Sequence, residues 1–361
     1  MKSNIKALLA AAGVAAFAFS PANAYEGGVA WQQKPGVLIG ASAGVPPPGI
    51  YMFDQVFTYQ SNVAGPGSLI VGPHNGVQAA VDAQGFLFVP GWTFLGATYD
   101  AVIVQPFGMV SIGQPFSAGF AGIAGAGGVG QVDMFSGVHN TYLAPVELSW
   151  KLGTSGFLIK AGLGMFIPDG TIQGNTGPNV PLITGASANG FGNFGNKYWT
   201  FQPEVIFSYL GGGYNLTAAI YTEFNTANQQ DNYTQGDIFH ADFTATKTFG
   251  KWTIGPVAYY AAQVSDDKCP IGVCTALHPL GIVGNTQRYQ LFAVGGLVEY
   301  NFGPASLSVW ATQEVLAHAS GGQLTPTIDA SNITQGMTVF ATLSYRLWAP
   351  EEPAKAPMLH K

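Results

Sequence analysis

The sequence predicts an all-β chain, a transmembrane antiparallel β-barrel of the bacterial outer membrane, with about twelve strands and a tolerance of ten to fourteen. Three observations predict it. Of 361 residues, 47% are apolar and only 9% are charged, whereas a soluble surface needs roughly 25–35% Lys, Arg, Glu and Asp. The chain begins with an export signal. Past that signal no clean helical span occurs, but segments of alternating polarity do. In lipid only helices and closed barrels satisfy every backbone polar group, so the barrel is what remains.

The same composition excludes other classes. Disorder needs low hydrophobicity and high net charge, and here the net charge is −6 and the mean hydropathy +0.22. With 49 glycines and 23 prolines, the chain is unlike a coiled coil. Thirteen basic residues against 19 acidic ones argue against a nucleic-acid partner.

At the N-terminus, Lys2 and Lys6 precede a short apolar run over 7–19, and Ala22-Asn23-Ala24 is an A-x-A cleavage site. Residues 1–24 are therefore expected to be a cleaved signal peptide. Residues 25–49, rich in Gly and Pro, are expected inside the barrel or beneath it. The barrel is expected over 50–348, and 349–361 is expected to be a disordered tail. The longest uncharged run, 101–132, holds eight glycines and Pro115, which is not a helix former's pattern.

The strands follow from period 2. In 199–209, Trp199, Phe201, Val205, Phe207 and Tyr209 oppose Thr200, Gln202, Glu204 and Ser208, and a Gly turn follows. In 238–249, Phe239, Ala241, Phe243, Ala245 and Phe249 alternate with His240, Asp242, Thr244, Thr246 and Thr248, before a two-residue turn at Gly250-Lys251. Residues 252–263, 290–302 and 337–347 continue the pattern, and Leu307 and Val309 resume it after Phe302-Gly303-Pro304. In the first half, 50–60, with Tyr51, Phe53, Phe57 and Tyr59 on one face, and 97–107, 141–150 and 157–167 read as strands. Segments 62–76, 113–136 and 168–197 are too long for tight turns and read as extracellular loops or inserts. Aromatics at strand ends (Trp199, Tyr209, Trp252, Phe302, Trp348) suit an interfacial girdle.

Within strands, Glu147, Glu204, Glu223, Asp237, Asp242, Glu299 and Glu314 stand against Lys151, Lys160, Lys247, Arg288 and Arg346. Lys or Arg facing lipid at the midplane costs about 2–4 kcal/mol, so these charges belong in the lumen or at the rims. They read first as interstrand salt bridges. As functional groups, Glu204, Glu223, His240, Asp242, Arg288 and Arg346 are the candidates for a lumenal constriction. His240 and Asp242 share a face and read first as part of a polar ladder with Thr244 and Thr246, with a ligand-contacting pair as the alternative. Cys269 and Cys274, with four residues between them, are expected to form a small disulfide loop in an oxidising compartment. No pattern of metal ligands is present, and no metal or cofactor is expected. The run 125–130 matches G-x-G-x-x-G but lacks the flanking strand, helix and acid of a dinucleotide site, so it reads as a flexible loop. H-E-x-x-H does not occur, and no enzymatic activity is expected.

Several motifs resemble those of the outer-membrane family named for the meta-pathway of phenol degradation. They are Pro46-Pro47-Pro48-Gly49-Ile50-Tyr51, the run 143–150 with Pro145 and Trp150, and above all 225–267. That last block carries Tyr233, Gly236, Asp237, Asp242, Gly255, Pro256, Gln263 and Asp267. The resemblance implies an outer-membrane channel for passive uptake of small hydrophobic or aromatic compounds. Its partners are then outer-membrane lipids and those solutes, with a monomer favoured. The departures are the cysteine loop, the long 168–197 insert and the tail. A structural or adhesive surface barrel with a sealed lumen is the alternative, and a continuous path through the lumen or a gap in its wall distinguishes the two.

Overall fold

The computed structural model describes residues 32–350 except 67, 69–76, 113–134, 172–193, 230, 231, 233, 269–287, 322, 326, 327, 330 and 332. The signal region, Tyr233, Cys269, Cys274, the 125–130 glycine run and the tail from 351 lie outside the described residues.

Twelve long strands close one antiparallel barrel. They are β1 (Gly49–Ala64), β2 (Val77–Val89), β3 (Ala97–Ile112), β4 (Thr141–Lys151), β5 (Phe157–Ile167), β6 (Thr200–Gly211), β7 (Tyr214–Asn225), β8 (Ile238–Phe249), β9 (Trp252–Gln263), β10 (Arg288–Asn301), β11 (Ala305–Ser320) and β12 (Ile333–Trp348). Each pairs with its chain neighbours, and β1 pairs with β12 from Ile50↔Trp348 to Ala64↔Ile333, which leaves no free edge. Two strands, β2 and β7, were not marked out individually by the sequence pattern. No helix among the described residues is long and apolar enough to cross a membrane; the crossing is done by strands.

The two ends of the barrel differ. At one end lie the start of β1, the end of β12 and the short turns. Gly212 and Gly213 (φ +57° and +80°) make the two-residue turn between β6 and β7, a left-handed pair that other residues adopt at a cost. Gly250-Lys251 joins β8 to β9 in two residues, as expected. The other end carries the long connections. Exposed Phe249, Trp252, Phe302 and Trp348 ring the short-turn end, as a girdle at the membrane interface does.

Apolar residues face outward on most strands. On β6, Phe201, Val205 and Phe207 are exposed while Thr200, Gln202, Glu204 and Ser208 are buried. On β1 the order is reversed. Tyr59 is buried and hydrogen-bonded to Glu314, and Phe57 packs on Phe340 (ring centroids 5.1 Å apart). The aromatic face of β1 therefore points into the lumen. Its outward positions include Asp54, Thr58 and Gln60, and β2 adds Gln78, Asp82 and Gln84 beside them.

The ladder between β11 and β12 is incomplete. It runs from Ala305↔Tyr345 to Gln313↔Met337 and stops, although β11 continues to Ser320 and β12 begins at Ile333. Beyond that point side chains bridge the seam. Gln313 Nε2 donates to the Gly336 carbonyl (3.2 Å) and Gln335 Nε2 to the Glu314 carbonyl (3.0 Å).

Candidate functional site

The residues preceding β1 occupy the lumen. Residues 32–48 run down the interior to the short-turn end, and the barrel wall holds them by their backbone. Glu223 Oε1 accepts the Gln33 N–H (3.1 Å). The Asp242 carboxylate accepts two N–H groups, from Gly36 (Oδ1, 3.0 Å) and Leu38 (Oδ2, 3.0 Å). Thr244 Oγ1 accepts from Gly40 (2.9 Å) and Ser208 Oγ from Ala43 (2.8 Å), while Ser149 Oγ donates to the Ala43 carbonyl. On the opposite side, Trp310 Nε1 donates to the Gly36 carbonyl (3.2 Å), and Val37 and Ile39 pack into an apolar cluster with Tyr259, Leu297, Trp310 and Phe340. Gly36 permits this closeness: its φ is +92°, and a Cβ there would lie 2.8 Å from the Tyr259 ring.

Two ionic groups line the interior. On β3–β6, Lys160 Nζ contacts Asp100 Oδ1 (3.0 Å) and Glu147 Oε2 (2.7 Å), with buried Glu204 facing the same cluster. Two carboxylates thus hold one ammonium directly, with a third carboxyl beside them, in a buried setting that holds only while the cation stays paired. On β11, the Glu314 carboxylate receives Tyr259 Oη (2.7 Å), Tyr59 Oη (2.9 Å), the Gly336 N–H (2.7 Å) and Lys34 Nζ (3.1 Å).

Of the sequence candidates, Glu204, Glu223, His240 and Asp242 all face the lumen and are at most 5% exposed. His240 Nε2 lies 3.1 Å from Glu223 Oε1, and its ring stacks on Tyr221 with centroids 4.5 Å apart. The Asp242 carboxylate accepts from the backbone amides of the inserted segment, and His240 and Thr244 flank it on the same face. Two candidates depart from the constriction. Arg288 starts β10 at the long-loop rim and pairs with Asp266, because its even position puts it out of step with the inward Tyr289 and Leu291. Arg346 lies at the short-turn rim, donates to the Pro48 carbonyl and sits over Tyr51.

The described motif residues of 225–267 form a corner at the long-loop end. Asp267 Oδ1 accepts the Gly236 N–H (2.6 Å) and Gln263 Nε2 (2.8 Å), while Asp237 is bonded through both its N–H and its carboxylate to Ser265 Oγ (2.7 and 3.0 Å). Gly255 crosses tightly over β8 and Pro256 faces outward. Sequence reasoning missed Lys34, Tyr59 and Tyr259. One signal was available, since Lys34 is the only Lys or Arg between Lys6 and Lys151.

The model of the family described as "MetA-pathway of phenol degradation" matches residues 60–318. The chain belongs to this family. Among solved structures, it is similar to the COG4313 outer membrane channel from Pseudomonas putida F1, at 11% identity and a TM-score of 0.61, covering 84% of this chain and 98% of that one. The fold of this family member is thus that of an outer-membrane barrel. Weaker likenesses include the translocator domain of the autotransporter NalP from Neisseria meningitidis (10% identity, TM-score 0.39, 83% and 89% covered). Another is the TodX monoaromatic hydrocarbon channel in a deltaS2 mutant (10%, 0.36, 91% and 96%). No curated protein matches the chain.

Proposed function

We propose that the protein is an outer-membrane channel for passive uptake of small hydrophobic or aromatic compounds, in which residues 32–48 form a movable constriction. One observation carries this reading. The inserted segment enters the barrel wall at Gly49, and the part of the lumen that packs on Val37 and Ile39 is apolar. An apolar solute can therefore replace the contacts of Val37 and Ile39, since such contacts are non-directional. Family membership and the barrel fold support a channel, and beyond Gln313↔Met337 the β11–β12 seam is held by side chains in place of a backbone ladder. Residues 1–24 serve as the cleaved export signal in this scheme, and N-terminal sequencing of the protein from outer membranes is expected to begin at Tyr25.

The alternative, a sealed structural barrel, draws on the same filled lumen. Uptake into proteoliposomes separates the two. Wild-type protein is expected to admit toluene faster than protein-free vesicles, and deletion of 32–44 is expected to raise ion conductance. Vesicles indistinguishable from protein-free ones with both wild type and deletion would establish the sealed barrel.

A further inference from the structure

We infer that Glu314, Tyr59 and Tyr259 form a receptor for a primary ammonium group carried on an apolar body, an alkylamine or arylalkylamine, and that Lys34 fills it in the closed channel. This deepens the channel reading and rests on it for its consequence, the release of the segment by such an amine.

The receptor belongs to the barrel. Glu314 is 1% exposed. It sits at a β-bulge: Ala293 pairs with Glu314 and Phe292 with Leu316, so Val315 is the extra residue. Bulges re-aim side chains. Three of the four donors to the carboxylate come from other barrel strands: the hydroxyls of Tyr59 and Tyr259 and the N–H of Gly336. The carboxylate is therefore oriented before any cation arrives. The fourth donor, Lys34 Nζ, comes from the removable segment. It also donates to Tyr259 Oη (3.0 Å) and lies 4.6 Å from the Tyr59 ring centroid and 4.9 Å from that of Tyr259. Carboxylate, hydroxyl and aromatic rings around one nitrogen are what an ammonium group requires.

When Lys34 leaves, a buried anion stays behind without its cation, an unfavourable state that another cation relieves. Beside Glu314 the wall carries the buried hydroxyls of Thr312 and Thr338 and then an apolar cluster with Leu291, Ala293, Trp310 and Phe340. A replacement must therefore bring a positive charge, N–H donors and an apolar body. Neutral phenols, alcohols and hydrocarbons lack the first; they can replace the apolar contacts of Val37 and Ile39 but do not compete with Lys34 for Glu314.

The test uses the full-length protein in detergent, with 2-phenylethylamine as probe and 2-phenylethanol as its neutral counterpart. The Lys34→Ala variant is expected to melt below wild type and to be restored by 2-phenylethylamine in a saturable way. Half-saturation is expected at a concentration at least about tenfold lower than for 2-phenylethanol. Adding Glu314→Gln to Lys34→Ala is expected to abolish that preference. Equal responses to the two probes, or a preference that survives Glu314→Gln, overturn the proposal. Should Lys34→Ala fail to fold, Lys34→Gln keeps a hydrogen-bond donor without the charge and carries the same comparison. Binding is read without transport, so the two readings fail separately. A retained amine preference in a barrel that transports nothing overturns the channel, whereas transport without the preference overturns the receptor.

Discussion

The two sides of the lumen have opposite chemistry. From β3 to β8 the inner wall is ionic and hydroxylic, with Asp100, Glu147, Lys160, Glu204, Ser208, Glu223 and Asp242 all buried. From β9 through β12 to β1 it is mainly aromatic and aliphatic, with Tyr259, Leu291, Leu297, Trp310, Phe340 and Phe57, interrupted by Glu314 and its neighbours Thr312 and Thr338. The inserted segment touches both. Its backbone N–H groups meet acceptors on the polar side at fixed positions, and its Val37 and Ile39 side chains meet the apolar side. Hydrogen bonds specify register, because a shift of one residue misaligns donor and acceptor. Apolar contact specifies only area. The polar arc therefore determines where the segment sits, and the apolar arc determines what can take its place.

The sharpest way to break this contrast is to remove the cation of the polar arc. Lys160→Met leaves Asp100 and Glu147 buried beside Glu204 without the ammonium that pairs with them. A loss of about 3–5 kcal/mol is expected, seen as a large drop in the thermal midpoint of the detergent-solubilised barrel. A drop no larger than that of a surface variant would show that the polar arc is not an ionic unit. The second test separates segment from wall. Asp242→Ala removes the acceptor of two N–H groups, a loss of about 1–3 kcal/mol that falls on the docking of the segment. Proteolysis between 34 and 44 and ion conductance are expected to rise while the barrel's midpoint moves little. A fall in the midpoint with the segment still protected would assign Asp242 to the wall instead.

How far the sequence discloses this depends on the arc. On β6 and β8 apolar residues face lipid and polar ones the lumen, so alternation reveals both the strand and its orientation. On β1 the alternation is equally regular, but Tyr51, Phe53, Phe57 and Tyr59 point inward. Period 2 reports that two faces differ and not which one is inside. Beside it, β2 carries Gln78, Asp82 and Gln84 outward, and its apolar face is the lumenal one. That inversion hid the strand. In β7 the run Ala218-Ala219-Ile220 blurs the alternation. At the site, Glu204, Glu223, His240 and Asp242 were legible as polar residues within apolar strands. The partner of Asp242 was not, because a backbone N–H of Gly36 or Leu38 has no signature in the sequence. Lys34 was legible by scarcity alone.

The smallest effects compare the two sides of the segment most directly. Ser149→Ala removes the donor to the Ala43 carbonyl on the polar side, with an expected loss of about 1 kcal/mol. Ile39→Val removes one methylene on the apolar side, where Ile39 is 3% exposed, with an expected loss of about 0.5–1.5 kcal/mol. The two energies are similar, so their size does not distinguish the arcs, but their form does. Losing a directional bond at Ala43 frees the register of the segment's lower end, so protease cleavage near 43 is expected to rise with Ser149→Ala and not with Ile39→Val. Shortening Ile39 leaves the register intact and opens space against Leu297 and Trp310, so a small apolar solute such as toluene is expected to stabilise Ile39→Val more than wild type. Because Ser149 and Ile39 share no partner, the double variant is expected to be additive within about 0.5 kcal/mol. A strong coupling between them would mean that the segment answers to both walls as one rigid body, and the division between positioning and replaceable contact would not hold.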